Sequence, residues 1–405
     1  MYDIENIRRQ FPILQQKING KPNVFLDTAA SAQKPICVIE RIKNIYENEY
    51  SNVHRGSYFL SEQLTYEYEN ARKYVQKFIN ADSACEIVFT RNATESINLV
   101  AATWGDKYIS EGDEVLISQA EHHANLVPWQ VLCKKKNAKL KIFEITDDGA
   151  FGWENFAKML SDKTKIVAVT AMSNVLGTIF PIKQICGEAH KFGAKVLVDA
   201  CQFAVHNKID VKDFDCDFLA FSGHKTYGPT GIGVLFGKLD ILQDMPPYQF
   251  GGDMIDHVWY DNTTFDEPPA RFEAGTPAIV QAVGLAEALK FMDGIGLENI
   301  MAHEDELCRY AKEKLSEIKG LKIVGTAEPR GGVFSFAMEG IHPQDLAFVL
   351  DKEGVSVRTG HHCAEPLVAR MGYTSLARAS FGLYTSKEDI DFFIKALHKA
   401  QQFLG

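Results

Sequence analysis

Short runs of aliphatic and β-branched residues recur from about residue 24 to 236, each followed by a stretch whose apolar positions fall at helical spacing. The runs are Glu86–Thr90, Glu114–Ser118, Lys141–Ile145, Lys165–Thr170, Lys195–Asp199 and Asp217–Ser222. This alternation is the rhythm of βαβ units and predicts an α/β fold with a parallel sheet. In such sheets ligands gather outside the carboxyl ends of the strands. Thr90 to Thr94, His122, Asn174, Asp199 and Lys225 all fall there, so several strand ends point at one crevice. The turn formers of Asp261–Ala270 precede a helical pattern over Ile279–Met292, which marks the passage between domains. Residues from about 293 to 405 read as a smaller α+β domain. It closes with an amphipathic segment, Lys387–Phe403, carrying Ile390, Phe393, Ile394, Leu397 and Phe403.

Composition narrows the reading. The 405 residues are 46% apolar and 24% charged, as in an ordinary globular protein. A net charge of −10 argues against a nucleic-acid surface, and Lys134-Lys135-Lys136 reads as a solvated helix end. No apolar run approaches the roughly 20 residues of a membrane span, and the N-terminus lacks an apolar leader core, so a cytoplasmic location is expected. The eight cysteines form no Cys-x-x-Cys pair. Most lie in apolar runs and read as buried thiols; Cys363 does not.

Ser222-Gly-His-Lys225 follows an apolar run and puts a lysine just past a strand, a candidate Schiff-base nucleophile. Asp199 ends another such run, with Gln202 three residues on. A lysine to carry the aldehyde and an acid to keep the ring nitrogen protonated are what pyridoxal phosphate requires. Arg91–Ser96 opens a helix directly after a strand, where free backbone N–H groups and the Thr94 hydroxyl can hold a phosphate; Asn92 with Glu95 also reads as a capping box. Ser222 and His224 can add donors. His122 can stack on an aromatic ring and move a proton. Neither His122-His123 nor His361-His362-Cys363 has metal-ligand spacing, and no metal is expected. Gly228-Pro-Thr-Gly231-Ile-Gly233 suits a tight turn rather than a dinucleotide loop.

Cys363 stands among Arg358, His361 and His362, a neighbourhood that favours a nucleophilic thiolate. Arg378 lies in an apolar-leaning segment, where either a bidentate substrate carboxylate or an internal acid would satisfy it. His342 in Gly340-Ile-His342-Pro343 reads as a turn residue rather than part of a partner interface.

Together these residues resemble the class V, fold-type I pyridoxal-phosphate enzymes, and within them the group II (Suf-type) cysteine desulfurases. Thr28-Ala-Ala-Ser31, Glu121–Trp129, Val198–Gln202, Phe221–Lys225, Arg271–Pro277 and Arg358–Ala364 carry the resemblance, which covers essentially the whole chain. It implies a mainly parallel seven-stranded sheet flanked by helices. The division it implies is an N-terminal segment (1–20) packing with the small domain, a large cofactor domain (21–265), a connecting stretch with a long helix (266–292), and a small C-terminal domain (293–405). It further implies that Lys225 binds the cofactor and works as acid and base, that Asp199, Gln202 and His122 hold its ring, and that Thr94, Ser222 and His224 hold its phosphate. Thr276 would reach that phosphate from the second subunit of a homodimer. Asn174, Arg378 and Arg358 would bind substrate and Cys363 would accept sulfur. The implied reaction converts L-cysteine to L-alanine and passes sulfur to a small acceptor protein for iron–sulfur cluster assembly. A selenocysteine lyase acting on L-selenocysteine, or a non-catalytic sulfur-carrier scaffold, is the alternative. Glu365 is acidic where related sequences often look neutral.

Overall fold

The computed structural model describes residues 2–405. Seven strands form the main sheet, in the order Ile87–Thr90, Gly233–Gly237, Phe218–Ser222, Lys195–Asp199, Thr164–Thr170, Glu114–Ser118 and Lys139–Phe143. Gly233–Gly237 runs antiparallel to both of its neighbours, and the remaining pairs are parallel. The sheet is therefore mainly parallel, as expected. Glu114–Ser118 and Phe218–Ser222 are buried at every position because helices cover both faces.

The strand expected at Lys141–Ile145 instead spans Lys139–Phe143. Its place at the sheet edge explains the shift: its register follows the parallel pairing of Lys139 with Glu114 through Phe143 with Ser118. The helix expected over Ile279–Met292 runs to Ile295 and is buried on nearly every side, filling the space against helices Ile36–Asn44 and Phe59–Phe78. The turn formers after Asp261 contribute Thr263–Phe265 to a two-stranded hairpin with Ile255–Val258, which leaves Val258, Trp259 and Tyr260 exposed.

A second sheet, antiparallel and four-stranded, has the order Leu321–Val324, Val333–Met338, Leu376–Ser380, Arg358–Gly360. Helices Leu297–Ser316, Pro343–Lys352 and Lys387–Leu404 pack with it around Phe334, Phe336, Leu350, Phe393 and Leu397. Capping fixes two of the helix starts. Ser386 and Asp389 form a reciprocal capping box, and His342 caps Pro343–Lys352 by accepting from the Gln344 N–H, which makes it the turn residue its sequence suggests. Near the N-terminus, Val24–Phe25 pairs in parallel with Val355–Ser356, and Asp27 bridges to Ser380. Val24 to Asp27 thus belong, by their hydrogen bonds, to the layer that carries Arg378.

Candidate active site

The carboxyl ends of the large-sheet strands and the edge of the small sheet enclose a cavity of about 220 Å³. Its lining includes Thr94, His122, Asn174, Asp199, Gln202, Ser222, His224, Lys225, Arg358, Cys363 and Arg378. Eleven of the twelve residues singled out in the sequence therefore meet in one place. Thr276 does not: it lies exposed in a separate recess with Arg91, Glu95 and Tyr248.

One end of the cavity is shaped by the turn after Ile87–Thr90. Asn92 caps helix Ala93–Val100 by accepting from the Glu95 N–H at 2.9 Å. The Glu95 carboxylate reaches the backbone N–H of Arg91 rather than that of Asn92, so the expected capping box is only half formed. Ser222 accepts from the Ala93 N–H at 2.9 Å and so fastens the lysine loop to the helix start. Gly233 makes this approach possible, since a Cβ there would stand 2.5 Å from the Asn92 Cα. Beside it the His224 ring meets the Ser31 hydroxyl at 3.2 Å, and the His224 carbonyl accepts from Lys34 at 2.8 Å. Burial, reinforced by Lys225 and Lys34, pushes the His224 imidazole down to about 4.

Asp199 is 4% exposed at the end of its strand and accepts from the Cys201 N–H at 2.9 Å. Gln202 donates to the Ala29 carbonyl at 2.8 Å, while its Oε1 is buried without a partner. A buried acceptor of that kind calls for a donor from a ligand. His122 accepts from the Ala124 N–H through Nδ1, which leaves Nε2 to carry the proton. Burial, then the charge of Lys225, pulls its imidazole down to about 4, so it faces the cavity neutral. The turn beneath it is held by Glu121, whose carboxylate accepts from Ser118, Asn125 and the Thr170 N–H, with Trp129 donating to Asn125. Burial lifts the Glu121 carboxyl to about 8.

The opposite rim belongs to the small sheet. Arg378 is 2% exposed, donates to the Asn174 carbonyl at 3.0 Å and pairs with Asp27 at 3.1 Å. Of the two partners open to it in the sequence, the internal acid is present. Asn174 donates its side-chain amide to the His362 carbonyl at 2.7 Å and so reaches the thiol loop. His362 and Cys363 both have left-handed backbones, with φ of 53° and 56°. The loop is latched by His123, whose N–H donates to the Cys363 carbonyl at 2.7 Å and whose ring accepts from the Glu365 N–H at 3.0 Å. Cys363 is exposed, while Cys133, Cys186, Cys216 and Cys308 are buried. Cys85 is exposed too, in a short turn before its strand.

Sequence reasoning assigned no role to Asp27, Cys201 or His123. The latch made by His123 had no signal beyond its adjacency to His122. Asp27 directly precedes the Thr28–Ser31 motif, and that adjacency was the one clue to it.

A buried carboxylate, an orphaned buried acceptor, hydroxyl and imidazole groups at a helix start, and a lysine in their midst fit pyridoxal phosphate. The sequence profile of the aminotransferase class-V family matches residues 24–393. The chain is 49% identical over 399 residues to a probable cysteine desulfurase of Halalkalibacterium halodurans, covering 98% of each. It is 49% identical over 405 residues to a probable cysteine desulfurase of Staphylococcus aureus, covering 100% of this chain and 98% of the other. Among solved structures it is similar to the cysteine desulfurase CsdA of Escherichia coli, with a TM-score of 0.93 and 36% identity over the whole of both chains. It is similar as well to the apo cysteine desulfurase of Thermococcus onnurineus NA1, with a TM-score of 0.94 and 37% identity over 99% of this chain and 98% of that one. With the lysine, the acid and the thiol on one cavity, and a match along nearly its full length, the chain belongs to the pyridoxal-phosphate-dependent aminotransferase class-V family.

Proposed function

We propose that this chain is a cysteine desulfurase that converts L-cysteine to L-alanine and retains the sulfur as a persulfide on Cys363. The observation that carries the reading is an exposed thiol on the rim of the cavity that holds Lys225 and Asp199. Pyridoxal phosphate, when bound, supplies the electron sink that makes the substrate Cα proton acidic and weakens the bond from Cβ to sulfur. Asp199 would hold the ring nitrogen protonated, the unpartnered Gln202 Oε1 would accept from the ring hydroxyl, and neutral His122 would stack on the ring. Thr94, Ser222 and His224, which line the same cavity, would hold the phosphate.

Arg378 binds the substrate carboxylate, with Asn174 and Arg358 beside it. Lys225 takes the proton from Cα. The Cys363 thiolate then attacks the substrate sulfur; the S–S bond forms as Cβ–Sγ breaks, and the released electron pair, with a proton, ends in the methyl group of alanine. Because Cys363 faces outward, the persulfide is open to a small acceptor protein of iron–sulfur cluster assembly. The exposed position of Thr276, away from this cavity, suits a homodimer in which Thr276 of the partner subunit completes the phosphate site. A Thr276→Ala enzyme that kept its affinity for the cofactor would remove that contact.

The test is to quantify alanine and Cys363 persulfide from L-cysteine in wild type and Cys363→Ser. Equal yields in the wild type, both lost in the variant, support the reading. Undiminished alanine from Cys363→Ser refutes the role of the thiol.

A further inference from the structure

Arg378, on the cavity rim, has its charge answered inside the protein. Its Nη2 pairs with Asp27 Oδ1 at 3.1 Å, its Nη1 donates to the Asn174 carbonyl, and its Nε is buried without a partner. Asp27 comes from a different part of the chain, the extended segment that bridges to Ser380 just after Arg378. Its side chain is 25% exposed against 2% for Arg378, so the acid stands on the open side of the pair. Arg358, which also lines the cavity, is the other cation whose charge reaches Asp27.

This geometry has two opposed consequences for a carboxylate that binds Arg378. Asp27 fixes the guanidinium by a hydrogen bond, which helps. It also places a second negative charge on the same cation, which hinders, because two carboxylates sharing one guanidinium repel each other. The hydrogen bond needs only an acceptor, whereas the repulsion needs the charge. Asparagine keeps the first and removes the second, and alanine removes both.

We propose that Asp27 is a positioning and specificity-determining residue, a resident counter-ion that orients Arg378 while holding down its affinity for the carboxylate of an amino-acid ligand. The inference rests on the reading of Arg378 as the substrate-carboxylate site. By sharing Arg378, Asp27 keeps alanine from being held as tightly as a lone arginine would hold it, so the product leaves readily.

Asp27→Asn therefore lowers the dissociation constant for an amino acid, while Asp27→Ala raises it. A role in stability alone would move both variants in the same direction. At the effective dielectric of a partly exposed pair, the expected fall in Asp27→Asn is about threefold to tenfold.

The experiment uses holoenzyme and two readouts. Glycine, which has the carboxylate but no sulfur to lose, is titrated against the absorption of the bound cofactor. KM and kcat for L-cysteine are measured by alanine release. The expected result is tighter glycine binding and lower KM in Asp27→Asn, with kcat unchanged or lower, and weaker glycine binding in Asp27→Ala. Equal or weaker glycine binding in Asp27→Asn overturns the proposal. If Asp27→Ala does not fold, Asp27→Asn decides alone. Glycine binding that follows this pattern across the variants, in a wild type that releases no alanine from cysteine, would overturn the desulfurase reading and leave the role of Asp27 standing.

Discussion

Asp199 and Cys363 line one cavity from backbones of opposite character. Asp199 ends a strand buried from Val196 onward, hydrogen-bonded to a neighbouring strand on each side. Cys363 sits on an exposed loop in a left-handed conformation that few non-glycine residues adopt. The floor is tied down by its own sheet. The rim is tied by single bonds to other elements, from His123 to the Cys363 carbonyl and from Asn174 to the His362 carbonyl. A cofactor that must be held in one pose belongs on the first kind of support. A thiol that must meet a substrate inside and an acceptor outside belongs on the second.

The largest effects should come from removing chemistry at either support. Lys225→Ala should lower alanine release at least about 10⁴-fold and shift the cofactor absorption, since in the proposed mechanism it removes both the covalent anchor and the base. Residual turnover near wild type would break the assignment of the floor. Cys363→Ser should lower turnover by about 10²-fold or more while the cofactor absorption stays as in the wild type. A changed cofactor spectrum in that variant would show that rim and floor are not separable.

Stability should divide the two regions as well. Trp129 is wholly buried and donates to Asn125, which braces Glu121 beneath the His122 turn. Trp129→Ala should cost about 3–5 kcal/mol in urea unfolding. His361, exposed on the rim, should cost no more than about 0.5 kcal/mol when changed to alanine. A larger loss from His361→Ala would mean that the loop is a structural element rather than a tethered arm.

The same division explains how much could be read from the sequence. Strand ends announce themselves through runs such as Lys195–Asp199, and the residues after them converge because a parallel sheet aligns its carboxyl ends; that made the floor legible. The edge strand at Lys139–Phe143 was misplaced by two residues because its register is set by a neighbour, not by its own pattern. On the rim, Cys363 and Arg378 were visible as chemistry. Asp27 was not recognised as Arg378's partner, because the contact joins positions 351 residues apart. His123 was invisible for a similar reason: a latch is a relation between two segments, and neither segment shows it alone.

The rim can also be tested by proton count. His362 is 4% exposed, with both ring nitrogens outside hydrogen-bonding geometry, and burial, followed by the charges of Arg378 and Arg358, pulls its imidazole down to about 3. The unfolded chain takes up a proton there near pH 6.5, whereas the folded chain takes it up only near the lower value. Folded protein therefore binds fewer protons between those limits, and stability contributed by neutral His362 is present above about pH 6.5 and is lost as pH falls toward 3. In His362→Asn the slope of unfolding free energy against pH, measured by urea titration between about pH 6 and 4.5, should be shallower by about one proton. His122 and His224 are also held neutral, and they titrate equally in both proteins and cancel in the difference. An unchanged slope would mean that the His362 ring is solvated and the rim looser than its burial indicates, which would set it still further from the floor.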